Sequence, residues 1–213
     1  MQSNLFRILT ICILFQYTPV LAGPRNTCTY RTYTWNVHQR KAIPHQTVQH
    51  PYKDVSENEI HKETGCTVCE EDQVEIVIPG INRFYMCKHL AGKVEHSLRK
   101  LKQENHPITT VVGYRVGMTK GEVDDHGYRT KFSYHSFGIA IDINPEQNGL
   151  YDNCLTYGPQ CIRIKGGRWH PAQTGSHTKH SAIVRELKSI GFKWGGEIEG
   201  KQKDFMHFST TGY

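Results

Sequence analysis

Residues 133–143 read "SYHSFGIAIDI", and the fold turns on how this stretch is taken. Ile139, Ile141 and Ile143 alternate with Gly138, Ala140 and Asp142, the period-2 pattern of a strand with one packed face. The opposite face carries small residues and one carboxylate. An ionised carboxylate in such apolar surroundings is costly unless it is paired or bound to a cation. His135 precedes Asp142 by an odd number of positions, so a straight strand would send the two side chains to opposite faces. The sequence therefore predicts a bend at Ser136-Phe137-Gly138, where Gly138 tolerates the backbone conformation required.

A second aspartate and histidine, Asp204 and His207, stand in "GFKWGGEIEGKQKDFMHFST" (191–210). With Asp204 in a turn and His207 on the strand that follows, both converge on one point. Two neutral imidazoles and one carboxylate (His135, His207, Asp142) suit Zn²⁺ and leave a fourth position for water. Such a metal acidifies its water and polarises a carbonyl. Hydrolysis also needs a group that passes the proton of water to the leaving amine, for which Asp204 is the candidate. Arg115, ending "ITTVVGYR" (108–115), is placed to stabilise an oxyanion or hold a substrate carboxylate. The spacing alone also permits an ordinary reading, with His135 and His207 as simple polar residues and Asp142 as a satisfied turn carboxylate.

Residues 1–22, "MQSNLFRILTICILFQYTPVLA", have one basic residue, a short apolar run and a small-residue ending, the pattern of a secretory signal peptide. The run is shorter than a membrane span requires. An exported chain without a stable membrane anchor is expected, in a periplasm, cell envelope or extracellular space. Loss of Cys12 with the leader turns seven cysteines into six, an even number that suggests disulfides. Cys154 and Cys161 are close enough in sequence to be the first pairing. Cys28, Cys66, Cys69 and Cys87 allow three pairings, and a single C-x-x-C in an exported chain favours disulfides over a structural zinc site.

The formal charge of +6 falls to +5 (6 − 1) without Arg7, and a weak attraction to polyanions follows. Basic and acidic residues are interspersed, with no Lys/Arg stripe, so no nucleic-acid partner is expected. Residues 23–65 are polar and proline-bearing and are read as an extension over the domain or a partly disordered segment. Residues 66–213 are read as the domain proper. Within it, "QVEIVIPG" is a strand and turn, and Leu90, Val94, Leu98 and Leu101 mark a core-facing helix. A short helix, "SAIVRELKSIG", has Ser181 as N-cap and Gly191 past its end. His170, His177 and His180 fit no strong ligand pattern and are read as loop residues near the cleft.

Ser133-x-His135-x-x-Gly138-x-Ala140-x-Asp142, then Trp194-Gly195-Gly196 and Asp204-x-x-His207-Phe208, resembles the motif pair of VanY-type zinc D-alanyl-D-alanine carboxypeptidases and the related L-alanyl-D-glutamate endopeptidases. The resemblance runs from about Thr109 to the C-terminus. It implies one zinc per chain on His135, Asp142 and His207, with Asp204 as base and Arg115 at the substrate. Ser133 is implied to support the first ligand, and Trp194 and Gly195 to border the substrate cleft. The implied substrates are peptidoglycan stem peptides. Val112, Val116 and Ile198 depart from the family's usual residues and bear on which peptide is accepted. The Hedgehog signalling domain shares this architecture and acts chiefly as a binding protein, so a binder without turnover is the competing class; a disulfide-rich module without metal is another. The fold expected is α+β, a mainly antiparallel sheet with a few packed helices and a zinc site in an open cleft.

Overall fold

Ile139, Ile141 and Ile143 have no solvent exposure, as a strand packed on one face requires. They sit in a computed structural model that describes residues 26–212, so the leader reading of residues 1–22 lies outside the described residues. The described residues open with a hairpin, β1 (Thr27–Asn36) and β2 (Lys41–Pro51). Two short pairs follow, β3 (Ile60–His61) with β4 (Cys66–Thr67), and β5 (Gln73–Ile76) with β6 (Phe84–Cys87). After helix α1 (Lys88–Gln103) come β7 (Val111–Val112), β8 (Met118–Val123), β9 (Arg129–Phe132) and β10 (Ala140–Ile143). The rest comprises β11 (Leu150–Asp152), β12 (Ile162–Lys165), helix α2 (Ala182–Ser189), β13 (Lys193–Trp194), β14 (Lys203–Asp204) and β15 (His207–Ser209).

The architecture is α+β and mostly antiparallel, but its strands are divided among several small sheets. One has the order β2-β1-β8-β9, a second β13-β15-β10-β7, and a third β12-β11-β14. The β1–β8 contact, Thr34 against Met118, is parallel. Strand β10 lies in the middle of the second sheet and is buried along its whole length.

Both helices follow from their apolar spacing. Leu90, Ala91, Val94, Leu98 and Leu101 of α1 and Ile183, Val184 and Leu187 of α2 bury into one core with the three isoleucines of the opening stretch. Each of the leucines, isoleucines and valines among them contributes about 1.5–3 kcal/mol by leaving water. Ser181 is the N-cap residue of α2, and Gly191, at φ +92°, follows its C-cap. Gly191 N donates to Lys188 O and Phe192 N to Leu187 O, the paired bonds that end a helix through a left-handed residue.

Three expectations are corrected. Residues 27–51, read as an extension over the domain or a partly disordered segment, form a long antiparallel hairpin with one bulge, in which alternate residues Cys28, Tyr30 and Thr32 are buried. The strand expected to end at Arg115 pairs only at Val111–Val112. Gly113 leaves the ladder there because its backbone passes so close to Tyr85 O that a Cβ would stand 2.2 Å from it. His177 is fully buried and lines no cleft; its ring packs edge-on against Phe208, and Nε2 donates to Ile143 O at 3.0 Å.

The cysteines pair as Cys28–Cys69, Cys66–Cys87 and Cys154–Cys161. The last is the pair expected from proximity, and the first two settle the three-way choice and leave no structural zinc site on those residues. Three disulfides fit an oxidising compartment. Among the described residues, no helix is long and apolar enough to cross a membrane.

Candidate metal centre and active site

The bend expected between His135 and Asp142 is a single 3₁₀ turn, Tyr134–Phe137, ended by Gly138 in the left-handed conformation at φ +64°. The turn carries His135 back over the strand. Asp142 lies on β10 directly across from His207 on β15, so antiparallel register brings the second histidine to the same carboxylate. Asp204 is on the two-residue strand β14, paired with Leu150, and not in a turn as expected; Phe205 and Met206 link it to β15.

His135 Nε2 lies 3.1 Å and His207 Nδ1 3.0 Å from Asp142 Oδ1. One ligand atom from each residue lies within 4.8 Å of the others, so the three form a group that can hold a metal ion. All three residues are buried.

The chemistry of the donors favours a cation there. His135 Nδ1 is 2.8 Å from Gly113 O, which can only accept, so Nδ1 carries the proton. Burial pushes the His135 imidazole down to about 4, leaving it neutral at pH 7. Its Nε2 lone pair then faces a carboxylate oxygen. Burial would raise the Asp142 carboxyl, but the adjacent imidazoles outweigh it and hold the group well below the usual carboxylate range. Two lone pairs at hydrogen-bond distance repel unless a cation joins them. His207 Nε2 is meanwhile buried without a hydrogen-bond partner. The residues present fit a divalent metal held by two histidines and one aspartate.

The group faces a cavity of about 660 Å³ whose lining includes Asp204, Arg115, Ser133, Lys120, Lys165 and Tyr33. Asp204 is pushed up to about 6, first by burial and then by the charge of Asp142, and its Oδ1 is buried without a hydrogen-bond partner. Arg115 Nη2 reaches Asp142 Oδ2 at 3.4 Å, and its backbone N donates to His135 O. Ser133 Oγ meets Ser136 Oγ at 3.1 Å, so it braces the turn that carries His135.

Trp194 and Gly195 stand behind the cavity wall. Trp194 is buried and donates from Nε1 to Phe205 O at 2.8 Å. A Cβ at Gly195 would come within 2.4 Å of Asp204 O, so the missing side chain lets the Asp204 strand pack close. Ile198 supplies the lining on this side.

Sequence reasoning missed the cavity residues on the hairpin and on β8, β9 and β12. Tyr33, Trp35 and His45 reach the site from β1 and β2, Lys120 from β8, Arg129 from β9 and Lys165 from β12. The run "TCTYRTYTW" (27–35) is rich in strand formers and signals β1, but nothing local says that its outer face meets the site.

A buried two-histidine, one-aspartate group beside a carboxylate of raised basicity is a site suited to metal-assisted hydrolysis. A family model described as D-alanyl-D-alanine carboxypeptidase matches residues 126–210. The match contains His135, Asp142, Asp204 and His207 and supports a peptidase; Arg115 and the hairpin lie outside it. No curated protein and no solved structure matches the chain.

Proposed function

We propose that the chain is an exported zinc metallopeptidase that hydrolyses peptide bonds in peptidoglycan stem peptides, in the manner of a D,D-carboxypeptidase. The observation that carries this reading is the convergence of His135, Asp142 and His207 beside Asp204, inside the segment that the peptidase family model matches. His135, Asp142 and His207 would hold one zinc ion. When bound, zinc polarises the scissile carbonyl and lowers the pKa of water.

The remaining steps fall to the protein's own groups. Asp204 accepts the proton of the attacking water at its unpartnered Oδ1 as the water oxygen bonds to the carbonyl carbon. It then delivers that proton to the amine nitrogen as the C–N bond breaks. Burial raises the basicity of Asp204, the direction a group that takes up and then returns a proton needs. Arg115 offers its guanidinium to the oxygen on which negative charge develops, or to the substrate's terminal carboxylate. Among the described residues its side chain hydrogen-bonds to Tyr33 Oη and Asp142 Oδ2, each at 3.4 Å, and its buried Nε has no partner, so N–H donors remain available.

The test is a digest of stem pentapeptide by the purified chain, with and without chelator, and by Asp204→Ala. Chelator-sensitive release of one terminal residue, lost in the variant, is expected. Equal product from wild type and variant would remove Asp204 from its role. Zinc retention without product would leave a metal-bearing binder.

A further inference from the structure

The β1–β2 hairpin lies wholly outside the segment that the peptidase family model matches, yet it walls the same cavity through Tyr33, Trp35, Ala42 and His45. Its ladder is interrupted at the site. Thr32 pairs with Gln46 and Thr34 with Ile43, so Pro44 and His45 together oppose the single residue Tyr33. This is a β-bulge, a device that re-aims a side chain, and Pro44, which has no N–H to leave unpaired, suits it. The His45 ring stands 5.4 Å from that of Tyr33.

Tyr33 is seated from below as well. A Cβ at Gly117 would fall 2.5 Å from Tyr33 Cζ and 2.9 Å from its hydroxyl, so the ring can lie where it does only over a glycine. Gly117 is in turn tied to the turn that carries His135: Ser133 N donates to Gly117 O, and Gly117 N to Ser136 Oγ. The hairpin itself is anchored by Cys28–Cys69 and by buried Cys28, Tyr30 and Thr32. From this seat the Tyr33 hydroxyl meets Arg115 Nη1 at 3.4 Å, while Arg115 Nη2 meets Asp142. The Arg115 side chain is 32% exposed, so these two contacts define where its guanidinium sits.

We propose that the β1–β2 hairpin is the specificity wall of this site and that Tyr33 is its positioning residue. The Tyr33 hydroxyl aims Arg115 at the carboxylate of a peptide substrate, and its ring limits the size of the residue lying against the wall. The inference rests on the reading of the cavity as a peptide-binding site and deepens it. A wall that merely packed would not couple to Arg115.

The test uses a stem pentapeptide ending in D-alanyl-D-alanine and a variant of it with a bulky terminal residue. Kd is measured by calorimetry on the full chain with turnover blocked by Asp204→Asn, and hydrolysis is measured on the chain with Asp204 intact. Tyr33→Phe keeps the ring on Gly117, so its melting temperature should match wild type while the pentapeptide Kd rises about 5- to 10-fold. In an Arg115→Ala background the same change should have no further effect. Tyr33→Ala should shift the Kd ratio toward the bulky peptide. An unchanged Kd in Tyr33→Phe, or an undiminished effect without Arg115, would overturn the inference even if the wild type hydrolyses the peptide. Tyr33-dependent binding without hydrolysis would instead sustain the inference and remove the proposed activity. Absence of binding in the wild type would count against both.

Discussion

Asp142 and His207 face each other across antiparallel strands, with His207 Nδ1 3.0 Å from Asp142 Oδ1, and His135 approaches the same oxygen from a turn seven residues earlier. Sheet register and one glycine-ended turn together make the three-residue group. Both can be perturbed separately.

Removing the shared carboxylate should remove the metal. Asp142→Ala is expected to lose zinc and to melt below wild type, because binding to the native state alone adds about 4 kcal/mol when free metal is 1,000 times Kd. Chelator should lower the melting temperature of the wild type and leave that of the variant unchanged. Equal chelator shifts in both proteins would show that the metal is held elsewhere.

Asp204 links activity and stability to pH with opposite signs. As the base it must be ionised, so kcat/KM of the metal-loaded enzyme should rise with pH as Asp204 loses its proton. Its folded-state pKa lies above the usual carboxylate value, so between about pH 4 and 6 the folded state binds the extra proton and stability falls as pH rises. Asp204→Asn should therefore lose roughly 10²- to 10⁴-fold in activity. In metal-free protein it should gain up to about 2–3 kcal/mol at pH 7. Urea unfolding at pH 4 and pH 7 reads the sign; a variant less stable than wild type at pH 7 would contradict it.

Gly138 is required for two reasons. Its φ of +64° disfavours a side chain, and an added Cβ would stand 2.0 Å from Gln73 Oε1 and 2.4 Å from the backbone N of Cys87. The glutamine can move, but the backbone of Cys87, whose N–H donates to Gly138 O, cannot do so freely. Gly138→Ala is expected to cost about 2 kcal/mol or more and to weaken zinc binding by displacing His135. Denaturant midpoints with and without metal would separate the two effects.

The Cys28–Cys69 bridge closes a separation of 41 residues and anchors the hairpin. Its removal by a paired Cys28→Ser and Cys69→Ser change should cost about 2–4 kcal/mol. Peptide affinity should weaken with zinc content unchanged, since His135, Asp142 and His207 stand on other elements. Loss of zinc in this variant would show that the hairpin supports the metal group itself.

Much of the centre was legible because its constraints are local. The odd spacing of His135 and Asp142 demanded a bend, and Gly138 was the residue able to make it. The three isoleucines identified the packed face of β10, and the helical spacing of Leu90, Val94, Leu98 and Leu101 identified α1. What escaped depended on contacts distant in sequence. The strand toward Arg115 was cut short at Gly113 by the backbone of Tyr85. Trp194, next to a glycine pair, faced inward to Phe205. Tyr33 and Lys120 reach the cavity from a separate sheet, and no spacing within either segment announces that meeting.

The most direct measurement is the zinc content of the purified chain beside that of Asp142→Ala, with both confirmed as folded. One zinc per chain in the wild type and none in the variant is the predicted result. No zinc in the wild type, or equal zinc in both, would contradict a metal centre built on His135, Asp142 and His207.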